Sequence, residues 1–415
     1  MAVIKPFQAY RYASKAGDPA RLLTQPYDKI SPAMQANYLA ASPYNLVRVI
    51  LGERLPSDND SDNVYTRAAR YFHDWIRAGI LAQDPLPAFY AYSQDFQIPD
   101  TAERASRNGF IGIGKLEDYS AQVVFPHEHT LSGPKKDRLE LLRHTRAHFG
   151  QIFMLYPDPD GDVEKVIEEG KLLAGSSPSL DVCDDYQARH RLWPLSHPST
   201  LALIQELMAD KKLLIADGHH RYETALAFRK ENPGVPAAEY VMITCVNLHS
   251  PGLRILATHR ALRNLEGFDA ADFLRKAAQS WRVAKLSAPA ELFAALRLPT
   301  PRRLRIGVVT REGVHLLERD RKQDDLDVSV LHREILSGLL GIGEQAVRDE
   351  KYIAYLRGMQ PAAAEVLEKD AHIAFLLEPA KIEDMARIAF SGGVMPQKST
   401  DFYPKLLSGV TIYRL

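Results

Sequence analysis

The sequence predicts an α/β protein with a mixed sheet carrying a βαβ unit, followed by a smaller α+β region toward the C-terminus. Three observations predict it. Strand-like and helix-like segments alternate through the first ~260 residues. The apolar run Leu213-Leu214-Ile215-Ala216, a turn at Gly218, a helical stretch over Tyr222 to Lys230 and the apolar run Tyr240 to Leu248 give strand, turn, helix and strand in succession. Beyond ~260 the composition shifts, and Thr310-Arg311-Glu312-Gly313 stands between two strand-like runs, 304–309 and 314–319, as a hairpin signal.

Taken in order, Pro26-Tyr27-Asp28 reads as a loop, and Ser42-Pro43-Tyr44-Asn45 leads into Leu46 to Leu51, whose alternation predicts a half-buried strand. Residues 64 to 82 carry apolar side chains at helical spacing. Ala88 to Tyr92 and Gly109 to Gly114 read as paired strands. Gly109, Gly112 and Gly114 serve strand packing, because no convincing helix follows at Lys115-Leu116-Glu117 as a dinucleotide fingerprint requires. A loop over Pro126 to Lys136 precedes a helix over Asp137 to His148. Residues 157 to 200, rich in Pro, Asp, Gly and Ser, hold one or two helices, and a further helix spans 199 to 210. The expected domains are 1–260, carrying the site, and 261–415, whose tail returns to it.

A chain of 415 residues is too long for one ordinary core. Lys plus Arg and Asp plus Glu both number 52, so the net charge is zero. That balance removes any electrostatic reason to expect nucleic acid or an anionic membrane as partner and leaves a small-molecule substrate. Cys183 and Cys245 form no CxxC pair, which points to a reducing compartment. No apolar run approaches the ~20 residues that span a bilayer, and Met1 to Pro6 has no signal-peptide core. A cytoplasmic location is expected; the oligomeric state is left open.

The segment Ile215-Ala216-Asp217-Gly218-His219-His220-Arg221 concentrates chemistry. A buried strand ends there and a helix starts, so backbone N–H groups and the positive end of the helix dipole point into the turn and favour an anion. Asp217 can hold a metal or orient a histidine. His219 or His220 can serve as acid or base, and Arg221 can grip a phosphate or carboxylate through two bonds. The bland alternative is a helix start with Asp217 as N-cap and the histidines on the surface.

Pro126-His127-Glu128-His129 offers a base or metal ligand, and Ser132-Gly133-Pro134-Lys135-Lys136 can wrap a phosphate, although the register is not that of the standard phosphate loop. A solvated loop explains these residues equally well. In the tail, Lys398, Ser399, Thr400 and Lys405 suit phosphate contact, against a capped loop as the plainer reading.

These same segments resemble a known family along nearly the whole chain. Pro26-Tyr27-Asp28, Ser42-Pro43-Tyr44-Asn45, Pro126-His127-Glu128 through Asp137-Arg138, Ala216 through Ala225 and Met395 through Thr400 resemble the bacterial and archaeal family catalogued as domain of unknown function 1015. The pairing of His127-Glu128 with a DGxHR segment is also similar to free-serine kinases of the ParB and sulfiredoxin-like superfamily. That resemblance implies a ParB-like core, Glu128 as the base for the acceptor hydroxyl, Asp217 and His220 at the donor phosphates or their metal, and Arg221 as a phosphate clamp. Ser132, Gly133, Lys135, Gly218, His219, Lys398, Ser399 and Thr400 are the further donor-binding candidates, and the expected cofactors are Mg2+ with ATP, ADP or pyrophosphate. The two segments stand further apart here than in those compact domains.

The leading expectation is phosphoryl transfer to a small hydroxylated metabolite, free L-serine first among them. One alternative is a metal-dependent phosphohydrolase or nuclease using His127, His129, His219, His220 and Asp217. Another is a nucleotide-binding regulator without catalysis.

Overall fold

The structure is a computed structural model describing residues 2–128, 132–298, 300–322, 325–348 and 351–415. The chain forms two compact units, one of Met1–Leu253 with Pro404–Leu415, the other of Arg254–Tyr403. The last segment thus belongs to the same unit as the first 253 residues.

The first unit is organised by a mixed sheet. Its strands, in chain order, are β1 (Ile4–Lys5), β2 (Phe89–Gln97), β3 (Arg104–Lys115), β4 (Val124–Phe125) and β5 (Ile152–Tyr156). They continue with β6 (Leu180–Cys183), β7 (Arg189–Leu195), β8 (Leu213–Asp217) and β9 (Tyr240–Asn247). The spatial order is β4-β8-β5-β9-β3-β2-β7-β6, with β1 alongside β3. Two pairs are parallel, β4 with β8 and β5 with β9; the other pairs are antiparallel.

The expected strands at 88–92 and 109–114 are β2 and β3, paired with Tyr90 opposite Ile111. The glycines of β3 do serve close packing: a side chain at Gly112 would come within 2.9 Å of the Phe89 ring. The strand-helix-strand order around Gly218 is present and the sheet is mixed. Its two strands, however, run antiparallel to each other, because β5 lies between them, antiparallel to β8 and parallel to β9.

Helices cover the sheet. Here α1 is Val64–Arg77, α2 Ser132–Thr145, α3 Asp162–Leu173, α4 Pro198–Met208 and α5 His219–Glu231. The Asn63 side chain accepts from the Tyr65 and Thr66 amides at 3.0 and 3.2 Å, while Thr66 Oγ1 accepts from the Asn63 amide, a reciprocal cap that fixes where α1 begins. Pro198 opens α4, where a missing N–H costs no helix bond. Ile152, Met154, Ile215, Ile243 and Cys245 pack on one face of the sheet against Val163, Ile167, Ile204, Met208 and Tyr222 from the helices.

Three sequence expectations fail locally. Leu46 to Leu51 is not a strand: Val47–Ile50 is a helical turn, capped by the Asn45 side chain at 2.9 Å from the Val47 amide. Leu46, Val47, Val49 and Ile50 are all buried, a helical rather than an alternating pattern, and Leu46, Val49 and Ile50 meet Phe72 and Trp75 of α1 in a separate apolar cluster. The helix expected from Asp137 starts at Ser132, so the phosphate-suited run is a helix opening rather than a loop. The 157–200 region holds β6 and β7 besides α3. Pro194 hid β7, yet it is tolerated because β6 pairs only with residues 189–192, so the Pro194 position needs no second ladder bond.

The second unit carries an antiparallel six-stranded sheet in which Thr258–Leu262, Ile353–Arg357 and Ile373–Leu376 join the hairpin Arg303–Thr310 with Gly313–Asp320. Thr310 pairs with Gly313, so Arg311 and Glu312 form the two-residue turn that the sequence signals. Among the described residues no helix is long and apolar enough to cross a membrane.

Candidate functional site

The site grows from the end of β8. Leu213 to Ala216 are buried, and the register with β5 shifts between Ile215 and Asp217, an irregularity that re-aims the Asp217 side chain at the sheet edge. Gly218 follows with φ 96°, a left-handed conformation that glycine adopts without strain. A side chain there would also lie 3.0–3.1 Å from the Arg221 guanidinium, which folds back over the turn. Arg221 Nη2 donates to Asp217 Oδ2 at 2.7 Å, and its Nη1 donates to the Gln151 carbonyl. On the other carboxylate oxygen, Lys405 Nζ donates to Oδ1 at 2.9 Å from the C-terminal segment.

The Pro126-His127-Glu128 segment reaches the same place because β4 runs parallel to β8, with Val124 beside Leu213 and Phe125 beside Leu214. Parallel neighbours leave a sheet on the same side. His127 is fully buried, and its Nδ1 lies 2.6 Å from the Ile215 carbonyl, an acceptor that requires the ring proton on Nδ1. The His127 amide donates to His219 Nε2 at 3.3 Å, so that nitrogen is bare and the neutral His219 carries its proton on Nδ1. The two rings stand edge to face at 4.8 Å.

Burial pushes the His127 imidazole down to about 4, against the raising influence of the Ile215 carbonyl and Asp217. Burial, with His127 next, holds His219 well below the usual histidine range. Both rings are neutral near pH 7. The bond from the His127 amide to His219 clasps the two loops together. Glu128 Oε2 lies 3.9 Å from His127 Nε2. It is the carboxylate that the clasp carries to the side of the Asp217 turn.

The electrostatics favour an anion. Burial alone would raise the Asp217 carboxyl, but Lys405 and Arg221, helped by Lys29, outweigh it and hold the group far below the usual carboxylate range. Arg107 of β3, 1% exposed, also feels Asp217; burial draws its guanidinium down to about 9, so it stays charged near neutrality. Arg107 lies over the Phe153 ring at 4.7 Å and donates from Nε to Gln94 Oε1 at 3.0 Å. Around the turn, Lys29, Arg107, Arg221 and Lys405 stand against Asp217, Asp28 and Glu128, a positive surplus in a chain with no net charge.

Not every expected residue joins this cluster. Lys135 forms an ion pair with Glu223, one turn into α5. Ser132 and Gly133 open α2, but their side chains, and His129 altogether, lie outside the described residues. His220 is half-buried in the first turn of α5. Lys398, Ser399 and Thr400 belong to the second unit, where the Lys398 carbonyl accepts from Arg260 Nη2 at 2.9 Å and the Ser399 hydroxyl donates to the Pro396 carbonyl.

Among the described residues no group of three or more His, Cys, Asp or Glu side chains is placed to hold a metal. Both Asp217 oxygens already accept from cations. The described residues therefore do not form a resident metal shell around Asp217 and His220. Sequence reasoning missed Lys29 and Arg107. The signal for Arg107 was available: it shares strand parity with Gly109, Ile111 and Ile113, an arginine on a packed face.

The motifs that build this turn and its clasp lie within a pattern described as "protein of unknown function (DUF1015)", which matches residues 4–329. The chain belongs to the DUF1015 family. No curated protein matches it. Among solved structures it is similar to a conserved hypothetical protein from Pyrococcus furiosus at 11% identity and TM-score 0.37, covering 70% of this chain and 91% of that one. A free serine kinase variant in complex with ADP gives 12% identity and TM-score 0.36, covering 69% and 89%. SbnI from Staphylococcus aureus, truncated at its C-terminus, gives 9% and 0.35, covering 72% and 85%. Likeness at this level carries no argument about activity.

Proposed function

We propose that this protein is a phosphotransferase that moves a phosphoryl group from a nucleotide or pyrophosphate to a small hydroxylated metabolite, free L-serine being the first candidate. One observation carries the reading: a positive surplus gathers at the opening of α5, and a carboxylate, Glu128, is clasped beside it. Phosphoryl transfer asks mainly for positioning and charge neutralisation. Arg221, Lys405 and the first-turn amides of α5 take the donor phosphates. Asp217 holds the two cations in place and keeps them charged. His220, in the same turn, completes the donor side.

In the step itself, the acceptor oxygen bonds to the transferred phosphorus and the bond from phosphorus to the bridging oxygen breaks. The hydroxyl proton passes to Glu128, and the charge left on the departing phosphate is met by the cations. Mg2+ would enter with the donor, held mainly by phosphate oxygens. The decisive experiment is incubation of the purified protein and Mg2+ with a metabolite pool and ATP, ADP or pyrophosphate, read by mass spectrometry. A phosphorylated hydroxy-metabolite is the expected product. If none of the three donors yields one from folded protein, the proposal fails.

A further inference from the structure

His190 of β7 is fully buried, and so is the side chain of Asp184 beside it. Neither takes part in the phosphoryl step, yet both connect by hydrogen bonds to the segment that carries Lys405. Asp184 is fixed first. Its Oδ1 accepts from the Tyr186 and Ala188 amides, both at 2.9 Å, and its Oδ2 accepts from Gln25 Nε2 at 2.9 Å. Burial alone would raise this carboxyl, but His190, the Ala188 amide and Gln25 hold it below its usual value.

The hydrogen bonds around His190 have a direction. Nδ1 lies 2.6 Å from Tyr92 Oη and 3.4 Å from Gln94 Nε2. Gln94 cannot present its oxygen there, because Oε1 accepts from Arg107 Nε at 3.0 Å while Nε2 donates to the Lys405 carbonyl at 2.9 Å. A ring nitrogen that faces an NH2 group is an acceptor, so the neutral imidazole carries its proton on Nε2, 3.3 Å from Asp184 Oδ2. Tyr92 Oη then donates to Nδ1, and its oxygen accepts from the Leu407 amide at 3.5 Å. A second proton on the ring would make Nδ1 a donor that faces two other donors. Tyr92 would turn its hydroxyl away, and Gln94, which holds the Lys405 carbonyl, would be pushed off.

Two charged groups act on the ring: Asp184 favours a second proton, and Arg107 opposes it. Burial is the largest influence and sets His190 below the ordinary histidine range. Tyr92 is kept neutral, chiefly by burial. The register places Gln94 of β2 on one side of His190 and the apolar Val182 of β6 on the other, and the Asp185 carboxylate is engaged by the Tyr38 hydroxyl.

We propose that His190, oriented by Asp184, is a positioning residue for Lys405: its neutral ring sets the direction of the bonds that hold 405–407, and protonation releases them. This rests on the phosphotransferase reading only for what Lys405 meets once held, the donor phosphates. The sign of the pH dependence follows from burial. A folded state that disfavours the charged ring loses ground to an open one once pH falls below about 6.5, the value of an accessible histidine. The hold is complete above that value and weakens on the acid side.

The test is amide hydrogen exchange over 405–408 in the full chain, at about pH 7 and about pH 5, for wild type, His190→Gln and His190→Leu. Gln presents one acceptor and one donor and takes no proton; Leu presents neither. At pH 7, Gln should protect 405–408 within about threefold of wild type, whereas Leu lowers protection about tenfold, the worth of a buried polar group left unpaired. At pH 5, wild type should lose about tenfold more protection than Gln. His148, stacked on Tyr413 further along the segment, is also buried and neutral near pH 7, but all three chains carry it. Equal losses in wild type and Gln at pH 5, or Gln as loose as Leu at pH 7, would overturn the inference. Slow exchange in β9 shows that a variant is folded; should Leu not fold, wild type against Gln still decides. Calorimetric binding of inorganic pyrophosphate with Mg2+ at pH 7 separates the two readings. Binding should be weaker in Leu than in Gln. Equal binding in all three chains, with exchange as expected, sinks the donor role of Lys405 and leaves His190 as its positioning residue.

Discussion

At the scale of single residues, the site holds two carboxylates in different surroundings. Asp217 is engaged by Arg221 and Lys405, and Glu128 lies beside the neutral His127 ring. Glu128→Gln should therefore slow turnover by roughly two to four orders of magnitude, the span typical of a general base, with donor affinity held within about twofold. Full activity in this variant, measured on the acceptor the metabolite screen identifies, would remove Glu128 from the chemistry. Asp217→Asn should act on stability and donor binding together. Removing one partner from a buried ion pair commonly costs about 3 kcal/mol. The sign of its pH dependence follows from a depressed pKa. The stabilisation by Asp217 is fully present above the unfolded carboxyl value of about 3.9 and is lost as pH falls toward the lower folded value. Urea unfolding at stepped pH should show the gap between wild type and Asp217→Asn wide at neutrality and closing below about pH 4. A gap independent of pH would mean that the ion pairs do not carry the effect.

At the scale of elements, the C-terminal segment is held by the polar side chains of β2 and β3. Arg107 donates to the Pro404 carbonyl, Gln94 donates to the Lys405 carbonyl at 2.9 Å, and Gln94 also accepts from Arg107. The network continues inward, with Tyr92 Oη 2.6 Å from His190 Nδ1, and His190 Nε2 3.3 Å from the Asp184 carboxylate. Two fully buried side chains thus aim the Lys405 ammonium at Asp217 by gripping the backbone of Lys405 and of Pro404 before it. Arg107→Met, close in length and apolar, should preserve the sheet but loosen the segment. Amide hydrogen exchange over 405–408 should quicken by an order of magnitude or more, as local opening becomes easier, while β9 stays protected. Lys405→Met should leave that exchange slow, because it removes the ammonium and not the backbone anchor. If Arg107→Met leaves exchange over 405–408 unchanged, the grip is not what holds the segment.

At the scale of the whole molecule, the chain leaves the first unit at Leu253 and comes back at Pro404. The returning segment is core as well as site: Leu406, Leu407, Val410 and Ile412 are buried, Tyr10 bridges Ile412, and Tyr413 pairs with His148. Removing 404–415 should therefore destabilise the first unit, with a thermal midpoint lowered by ~10 °C or more, since several buried side chains at roughly 1.5–3 kcal/mol each are lost. A truncated chain that melts where the full chain does would show the segment to be an appendage.

What the sequence determined by itself is local. The long helical spacing of α1, the pairing of β2 with β3, the strand ending at Asp217 and the Arg311-Glu312 hairpin could all be read, because each is set by periodicity or turn chemistry within a few residues. The Asp217 to Arg221 turn was legible for the same reason. The short helix at Val47–Ile50 was not, because five apolar side chains in the six residues from Leu46 to Leu51 fit two periods until Phe72 and Trp75 decide between them. Nor could the sequence show that His127 clasps His219 or that Arg107 and Lys405 converge on one carboxylate. Those contacts join residues roughly 90 to 300 positions apart, and only the sheet order and the returning C-terminal segment bring them together. Charge decided in the same way: a chain with no net charge acquires a positive site only when folding gathers cations from separate segments around one half-buried aspartate.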